Sequence, residues 1–375
     1  MRRKEKLTLL LNNGEEVVAD LENFVEGEEL LSQVARLERN AVKNKVSLAA
    51  AKSDIKNLSA DLEAAEVRLS IYEATTSQTA PKWLSLKKPK KSSAIAVAML
   101  SDTHWDEVVK PEEVDYVNKY DRDIAEKRLY RFVDRTIALA RDYVSGPVEI
   151  TGLTLFLGGD MVSGDIHEEL TESNEGTMLE TVVHWTGQLA SAITTLTDHF
   201  EKVHIAGVVG NHGRRTRKSR SKKRVRDNFD WLIYQSVSTM LKDDKRITWQ
   251  IPEAADTVVK VHDTKFLLTH GDKVRGGGGV GGIWPPIKRM QFRLKANPQT
   301  AHDIMCIGHW HQLVLAPSAG LVVNGSPKGW DEYAATSGFE FHEQDTAQSF
   351  MLVTPEYGVT VAAPIFCVDR ASEGW

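Results

Sequence analysis

The 375-residue sequence contains only two cysteines, Cys306 and Cys367. Two thiols are too few for a disulfide scaffold, and they fit a reducing compartment. Long apolar runs are also missing. The N-terminal run LTLLL is far shorter than the about 20 residues that span a bilayer, and no export signal surrounds it. We therefore expect a cytoplasmic protein that does not contact a membrane.

An excess of positive charge is missing as well. The sequence has 47 lysines and arginines against 52 aspartates and glutamates, which gives a formal net charge of −5. The chain as a whole is therefore not a basic nucleic-acid-binding protein. Its 41% of hydrophobic and 26% of charged residues are typical of a globular protein. A chain this long has room for one large domain and an accessory segment.

The first 73 residues differ in pattern from the rest. Residues 1–25 predict a short segment with a hairpin, because LTLLL and EEVVA flank Asn13-Gly14. Residues 26–73 have apolar side chains at heptad spacing and predict a long coiled-coil helix. A helix of this length needs a partner, so we expect a homo-oligomer; packing on the chain's own catalytic domain is the alternative. The heptad core positions are Val34, Ala41, Leu48, Ile55, Leu62 and Leu69 at a, and Leu30, Leu37, Asn44, Ala51, Leu58, Ala65 and Tyr72 at d.

A linker and a catalytic domain follow. Residues 74–93 are polar and basic and contain prolines, as linkers do. Residues 94–375 alternate apolar strands with amphipathic helices, which predicts an α/β catalytic domain. Its C-terminal part turns to strands and predicts a second sheet. The predicted helices lie near 122–143, 175–198, 228–243 and 285–296, and the predicted C-terminal strands cover 312–316, 320–324, 338–343, 348–353 and 358–363.

Five short polar motifs each follow an apolar run that resembles a buried strand. They are Asp102-Thr103-His104, Gly159-Asp160, Gly210-Asn211-His212, His270-Gly271-Asp272 and Gly308-His309-Trp310-His311. Strand ends are where α/β folds present their ligand sites. Carboxylate and imidazole together suit manganese, iron or zinc better than magnesium or calcium. The motifs therefore predict a site for two divalent metal ions, with Mn²⁺ as the first candidate and Fe²⁺ or Zn²⁺ as alternatives.

The order of these motifs, D-x-H, G-D, G-N-H, H and G-H-x-H, resembles the calcineurin-like metallophosphoesterase family over residues 102–311. The resemblance implies a two-sheet α/β/β/α sandwich. It implies that Asp102, His104 and His311 hold one metal, that Asn211, His270 and His309 hold the other, and that Asp160 bridges them. It also implies that His212 is a catalytic residue, which stabilises the transition state or protonates the leaving oxygen as a general acid. On an extended Gly308–His311 segment, alternation would point both histidine rings at the site.

Two positions depart from the family pattern. Gly213 stands where many relatives have an acidic residue, and Ser163 stands where phosphatases often have Asp and repair nucleases often have His. The partner that orients His212 is therefore missing or replaced, with Asp165 and His167 as the candidates. These departures leave only a distant similarity to the DNA-repair nuclease branch. The run from residue 160 to 174 looks more like bacteriophage members of the family, which would act in the host cytoplasm.

The residues after His212 suggest a polyanionic substrate. Residues 214–226, RRTRKSRSKKRVR, have nine lysines or arginines in thirteen positions, and such concentrated charge would neutralise phosphates on either side of the scissile one. A solvated loop and a docking segment for an acidic protein are the alternatives. His167 either contacts substrate or is a surface residue that begins a helix. The predicted substrate-binding residues are Arg214, Arg215, Arg217, Lys218, Arg220, Lys222, Lys223, Arg224 and His167.

These features together predict a dinuclear-metal-dependent phosphodiesterase. We expect a nuclease that cleaves DNA or RNA by in-line attack of a metal-bridging hydroxide on phosphorus, so its expected partner is nucleic acid. One alternative is a phosphatase acting on a phosphoprotein or a small phosphomonoester. The other is an assembly protein that keeps the metallophosphoesterase fold without catalysis. The sequence leaves open whether a partner ATPase takes part.

Overall fold

The computed structural model describes residues 6–10, 16–20, 24–76, 92–143, 148–274, 282–338 and 342–375. The chain divides into two compact units, residues 1–87 and 88–375. In the first unit, strand β1 (Lys6–Leu10) pairs antiparallel with β2 (Glu16–Asp20), and helix α1 spans Phe24–Thr76. The turn at Asn13-Gly14 and most of the predicted linker lie outside the described residues. The domain boundaries stay predictions.

Most of the described apolar heptad side chains of helix α1 are exposed to water. Leu37 is 65% exposed, Leu58 is 66% exposed and Ile55 is 63% exposed. Pairing with another helix would remove this apolar surface from water, and the homo-oligomer stays a prediction on that ground. None of the described helices, α1 included, has an apolar stretch long enough to cross a membrane.

The second unit is built from two mixed sheets. One sheet has the strand order β13-β12-β3-β4-β5-β6 and the other β10-β11-β9-β8-β7. Strands β3 to β6 run parallel, with β6 at the edge of its sheet, and β8, β9 and β11 run parallel as well. The strands are β3 (Ser92–Leu100), β4 (Val148–Leu157), β5 (Val203–Gly207), β6 (Ile247–Gln250), β7 (Asp256–Val261), β8 (Thr264–Thr269), β9 (Ile304–Ile307), β10 (Val314–Ala316), β11 (Leu321–Val323), β12 (Gln348–Thr354) and β13 (Gly358–Ile365).

Helices cover the outer faces of both sheets. The central strands read as continuous apolar runs because each is buried on both faces. In β3, for example, Ala98 packs towards the helices while Met99 packs towards the second sheet. Phe156 and Phe266 meet between the sheets, with ring centroids 5.8 Å apart. The helices are α2 (Arg122–Arg141), α3 (Glu168–Ser173), α4 (Met178–His199), α5 (Phe229–Met240), α6 (Trp284–Lys295), α7 (Glu332–Thr336) and α8 (Arg370–Glu373).

The layer order is therefore helix, sheet, sheet, helix, which confirms the predicted α/β/β/α sandwich. Helices α2, α4 and α5 pack on the first sheet through side chains such as Phe132, Trp185 and Ile233. Helix α6 packs on the second sheet through Ile287 and Met290. Polar capping residues fix where helices begin. Thr177 and Glu180 form a capping box at the N-terminus of α4, and such a cap contributes about 1 kcal/mol to stability.

The C-terminal part differs from the sequence prediction in two ways. Strands β12 and β13 join the first sheet instead of the second, because β12 pairs antiparallel with β3. The strand predicted over 338–343 is wrong at its described ends. Gly338 lies in a turn with a φ of 70°, and a 3-10 helix begins at Glu343; residues 339–341 lie outside the described residues.

Candidate metal centre

The five polar motifs meet at one edge of the sandwich, because they follow the carboxyl ends of parallel strands. Strand β3 leads into Asp102 and His104, β4 into Asp160, and β5 into Asn211 and His212. In the second sheet, β8 leads into His270 and β9 into His309 and His311. Two sheets stacked face to face thus bring residues from both to one place.

Left-handed backbone turns aim several of these side chains. Asp102, His104 and Asp160 have φ angles of 55°, 45° and 48°, and His309 and His311 have 68° and 50°. Such angles cost roughly 1–3 kcal/mol each for residues other than glycine and cluster at functional sites. The last motif is therefore a turn, and the extended segment predicted for it is wrong. Two left-handed residues bring both rings towards the site.

Three groups of donor atoms form at this edge. In each group, one ligand atom from every residue lies within 4.8 Å of the others. The groups are Asp102, His104 and His311; Asp160, His270 and His309; and His104, Asp160 and His212. Asn211 adjoins the second group, because its Oδ1 lies 3.2 Å from His270 Nε2. All seven residues expected to bind metal are thus close together, and their assignment to individual ions stays a prediction.

The donor set fits two divalent cations. His104 Nε2 and His311 Nε2 point at each other across 3.1 Å, and His270 Nε2 lies 2.9 Å from Asp160 Oδ2. Asp102, His104, Asp160 and His270 are buried, and Asn211, His309 and His311 are partly exposed. Buried carboxylates and imidazoles that face a common point need a cation or a proton between them.

The electrostatics of the metal-free protein favour cation binding. Burial raises the pKa of the Asp160 carboxyl, but its electrostatic interactions with the His270 ring and then the His212 ring outweigh that effect and hold the pKa well below its ordinary value. The pKa of His309 is lowered to about 4, first by burial and then by His270. At neutral pH the carboxylate is therefore charged and the His309 ring keeps a free lone pair.

His270 is the exception, and its charge leads to a prediction. Burial lowers its pKa, but Asp160 outweighs that effect and raises the pKa to about 10. At pH 7 the metal-free ring is protonated, so a metal can bind Nε2 only by displacing a proton. We expect calorimetric titration with Zn²⁺ at pH 7, in buffers of different ionisation enthalpy, to show about one proton released from this group. Release of no proton at pH 7 would contradict a charged His270.

His212 is oriented by backbone rather than by an acidic side chain. Its ring Nδ1 lies 2.8 Å from the carbonyl oxygen of Ser163, and the backbone N–H of His212 donates to Asp160 Oδ1 at 2.7 Å. The group that orients His212 is therefore a backbone carbonyl. Asp165 is exposed, and His167 lies with its ring centroid 5.9 Å from that of His212.

The close packing behind the motif explains Gly213. A Cβ at this position would lie 2.4 Å from Asn228 Oδ1 and 3.0 Å from Asp230 Oδ1. No side chain fits without moving Asn228, which caps helix α5 and donates to the carbonyl of Gly210. An acidic side chain at this position would therefore require Asn228 to move.

Asp230 is a site residue that sequence reasoning missed. Its carboxylate accepts hydrogen bonds from the backbone N–H groups of Asp160, Met161 and Gly210, at 2.9 to 3.1 Å. Burial, then the charge of Asp160, raises its pKa to about 7. It therefore ties together the backbones of the two loops that carry Asp160 and Gly210. An acidic residue in the first turn of a helix is common, so the sequence carries no signal for this role.

Residues of the basic run 214–226 line a groove beside the donor groups. A cavity of about 860 Å³ is lined by Asn211 and His309 together with Arg220, Lys223 and Arg224. Arg214 holds the loop in shape, because its guanidinium donates to three backbone carbonyls: those of residues 211, 216 and 217. It is therefore less available for substrate than the sequence suggested.

The remaining basic residues divide into paired and unpaired cations. Four arginines have acidic partners, namely Arg215 with Asp227, Arg217 with Glu168, Arg224 with Asp272 and Arg226 with Glu253. Lys218, Arg220, Lys222 and Lys223 have no ion pair or side-chain hydrogen bond with any described residue. These four are the side chains able to take a new anionic partner without breaking an existing contact. Substrate binding by any of the nine predicted residues stays a prediction.

Comparison with known proteins found no matching family model and no matching curated protein. Among solved structures, the chain is similar to zinc-complexed wild-type Vps29 from Entamoeba histolytica, with 14% identity, 72% of this chain and 99% of that chain covered, and a TM-score of 0.28. For Vacuolar Protein Sorting 29 from Cryptosporidium parvum the identity is 14%, 72% of this chain and 97% of that chain are covered, and the TM-score is 0.30. For a predicted phosphoesterase from Streptococcus pneumoniae the identity is 11%, 72% of this chain and 95% of that chain are covered, and the TM-score is 0.26.

TM-scores this low establish neither a family nor an activity. Function must therefore be inferred from the residues of the site. At one edge of the sandwich, carboxylate, carboxamide and imidazole groups from both sheets form a buried donor cluster suited to two divalent cations, and this cluster opens onto a cationic groove.

Proposed function

We propose that this protein is a metal-dependent phosphodiesterase that cleaves nucleic acid. The observation that carries the proposal is the position of the donor cluster, which shares a groove with the basic run 214–226. The motif resemblance to calcineurin-like metallophosphoesterases supports the phosphoester part. The unpaired cations support a polyanionic substrate, because one small phosphomonoester needs far fewer positive charges.

The metal-binding residues would divide between two ions. Asp102, His104 and His311 would hold one, Asn211, His270 and His309 the other, and Asp160 would contact both. When bound, two divalent cations supply Lewis-acid activation of water and neutralise the charge that builds on the phosphate oxygens.

His212 would donate a proton to the leaving group. The Ser163 carbonyl fixes its ring through Nδ1, which leaves Nε2 to carry the transferred proton. Burial, which outweighs the opposing effect of Asp160, lowers the pKa of His212. The neutral ring therefore dominates at pH 7 in the metal-free protein, and a protonated ring would donate to the departing oxygen as a general acid.

The groove would hold the phosphates next to the scissile one. Arg220 and Lys223 line it beside Asn211 and His309, so a strand whose scissile phosphate sits in the donor cluster would pass between them. Each phosphate neutralised by a lysine or arginine releases counterions, which makes binding depend on salt concentration. Uncharged or monomeric substrates would gain little from these cations.

This leads to a prediction about charge removal. We expect simultaneous replacement of the four unpaired cations, Lys218, Arg220, Lys222 and Lys223, by serine to lower the salt slope of oligonucleotide binding by up to about 3, since each phosphate contact contributes roughly 0.7–0.9. Binding is measured by fluorescence anisotropy at several salt concentrations with metals chelated. Hydrolysis of bis-p-nitrophenyl phosphate should be unchanged, because that substrate has no flanking phosphates.

The matched control removes four exposed cations elsewhere. Lys242, Lys245, Arg293 and Lys295 lie just after α5 or near the end of α6. The ends of these helices lead into the next strands, away from the carboxyl edge. Their replacement by serine should leave the salt slope nearly unchanged. Equal changes in the salt slope for both sets would rule out the groove as the phosphate-binding surface. Turnover of phosphomonoesters alone would favour a phosphatase.

A further inference from the structure

Two buried polar atoms beside the donor cluster lack hydrogen-bond partners among the described residues. They are His104 Nδ1 and Glu107 Oε2, and they face each other at 3.4 Å. His104 is 1% and Glu107 5% exposed, so water cannot serve either atom readily. A buried polar atom left without a partner costs about 1–3 kcal/mol. Each atom is therefore the natural partner of the other.

The other oriented histidines of the site use backbone carbonyls instead. His270 Nδ1 lies 2.9 Å from the oxygen of Gly158, and His212 Nδ1 lies 2.8 Å from that of Ser163. A carboxylate differs from a carbonyl because it carries full charge, accepts more strongly and increases the basicity of the opposite ring nitrogen. His104 thus has a distinct partner.

A buried lysine holds this carboxylate in place. Lys328 Nζ donates to Glu107 Oε1 at 2.8 Å and also to Asp331. Lys328 is only 2% exposed. Its backbone carbonyl accepts hydrogen bonds from Asn118 and Arg128. These bonds hold in place the backbone that carries the ammonium group. A buried ion pair with this many contacts defines a geometry more than it adds stability.

We propose that Glu107, held by Lys328, is a positioning residue that keeps the proton of His104 on Nδ1 and so presents the lone pair of Nε2 to the first metal. With Nδ1 donating to Glu107, Nε2 faces His311 Nε2 at 3.1 Å within the first donor group. The second donor group does not include His104. Glu107 therefore governs the affinity of one metal and not the other. This inference rests on the metal-binding part of the proposed function and not on its substrate.

Glu107→Gln tests the proposal with almost no change of shape. A glutamine amide that keeps its oxygen on Lys328 turns its NH₂ towards His104 Nδ1, which then cannot hold a proton. We expect affinity for one of the two metals to fall by roughly 10- to 100-fold, as for other partners of metal-binding histidines. The other affinity should stay unchanged in Zn²⁺ titrations against a competing chelator. Melting curves of both proteins verify folding.

The matched control is Glu113→Gln. Glu113 also accepts a hydrogen bond from a lysine, Lys110, at 3.2 Å, but it is at the surface. This variant should bind both metals as the wild type does. Two unchanged affinities in a folded Glu107→Gln protein would overturn the proposal, as would equal losses at both sites. Binding of no metal by the wild type would overturn the proposed function and this inference together.

A spectroscopic measurement needs no Glu107 variant. In metal-free wild-type protein labelled with ¹⁵N-histidine, long-range ¹H–¹⁵N spectra distinguish a ring protonated at Nδ1 from one protonated at Nε2. The His104 signals are assigned by their loss in His104→Gln. We expect the Nδ1-protonated form of His104. The Nε2-protonated form would overturn the proposal even if Glu107→Gln failed to fold.

Discussion

Replacing Asp160 with asparagine is expected to lower the rate of phosphodiester hydrolysis by at least about a thousandfold, equivalent to roughly 4 kcal/mol of transition-state stabilisation. Asp160 contributes to two of the three donor groups, and its Oδ2 lies 2.9 Å from His270 Nε2. Asparagine keeps the shape, including the oxygen that accepts from the His212 N–H, but it removes the charge that both metals would share.

The measurement combines activity with metal content. Wild type and Asp160→Asn are compared in Mn²⁺ on bis-p-nitrophenyl phosphate, p-nitrophenyl phosphate, and single- and double-stranded nucleic acids. Bound metal, determined by elemental analysis, should fall from two ions to one or none. Asp165→Asn is the matched control, because Asp165 is an exposed carboxylate on the same loop.

Each pattern of turnover has a defined meaning. Cleavage of nucleic acids and the diester by wild type alone supports the proposed phosphodiesterase. Turnover of the monoester alone would identify a phosphatase and leave the basic groove for another ligand. Metal binding without any turnover would favour the assembly protein that keeps the fold. Full activity in Asp160→Asn would refute a role for this carboxylate.

Asp230→Ala is expected to lower the free energy of unfolding by at least about 3 kcal/mol, because three buried backbone N–H groups lose their acceptor and each costs about 1–3 kcal/mol. The carboxylate is fully buried and serves Asp160, Met161 and Gly210. Urea denaturation of the metal-free proteins measures the difference. Asp227→Ala is the nearby control; its partly exposed side chain makes only a surface ion pair, so the change should be within about 0.5 kcal/mol.

The effect of Asp230→Ala should also depend on pH. The pKa of Asp230 is about 7 in the folded protein against an ordinary value of 3.8. A carboxyl whose pKa rises on folding contributes its full stability below about pH 4 and loses it as the pH rises through 7. The deficit of Asp230→Ala should therefore be larger at pH 5 than at pH 8. A deficit that grows with pH would show that the folded carboxyl is not protonated in this range.

Much of the fold followed from local pattern. The predicted helices near 122–143, 175–198, 228–243 and 285–296 correspond to α2, α4, α5 and α6, because a buried stripe and a polar cap are both visible in sequence. The short strands Ile247–Gln250 and Asp256–Val261 were not predicted. Local sequence does not show which sheet these two strands or β12 join, because strand pairing is a contact between segments that can be distant in sequence.

The sequence by itself determined which side chains could bind metal, because Asp102, His104, Asp160 and the later motifs directly follow apolar strands, and parallel strands end at one edge. Only the tertiary structure decided what surrounds them. Asp230 reaches the loops of Asp160 and Gly210 across 70 and 20 positions, and Lys328 meets Glu107 across 221 positions.

The same holds for the basic run. Its charge was visible in sequence, but which cations are unpaired depends on acidic residues brought near by folding, such as Asp272 and Glu253. The orientation of His212 by the Ser163 carbonyl was equally hidden, because a backbone oxygen is present at every position. Residue types reveal the available chemistry; contacts between distant segments decide which protons, charges and lone pairs the site can use.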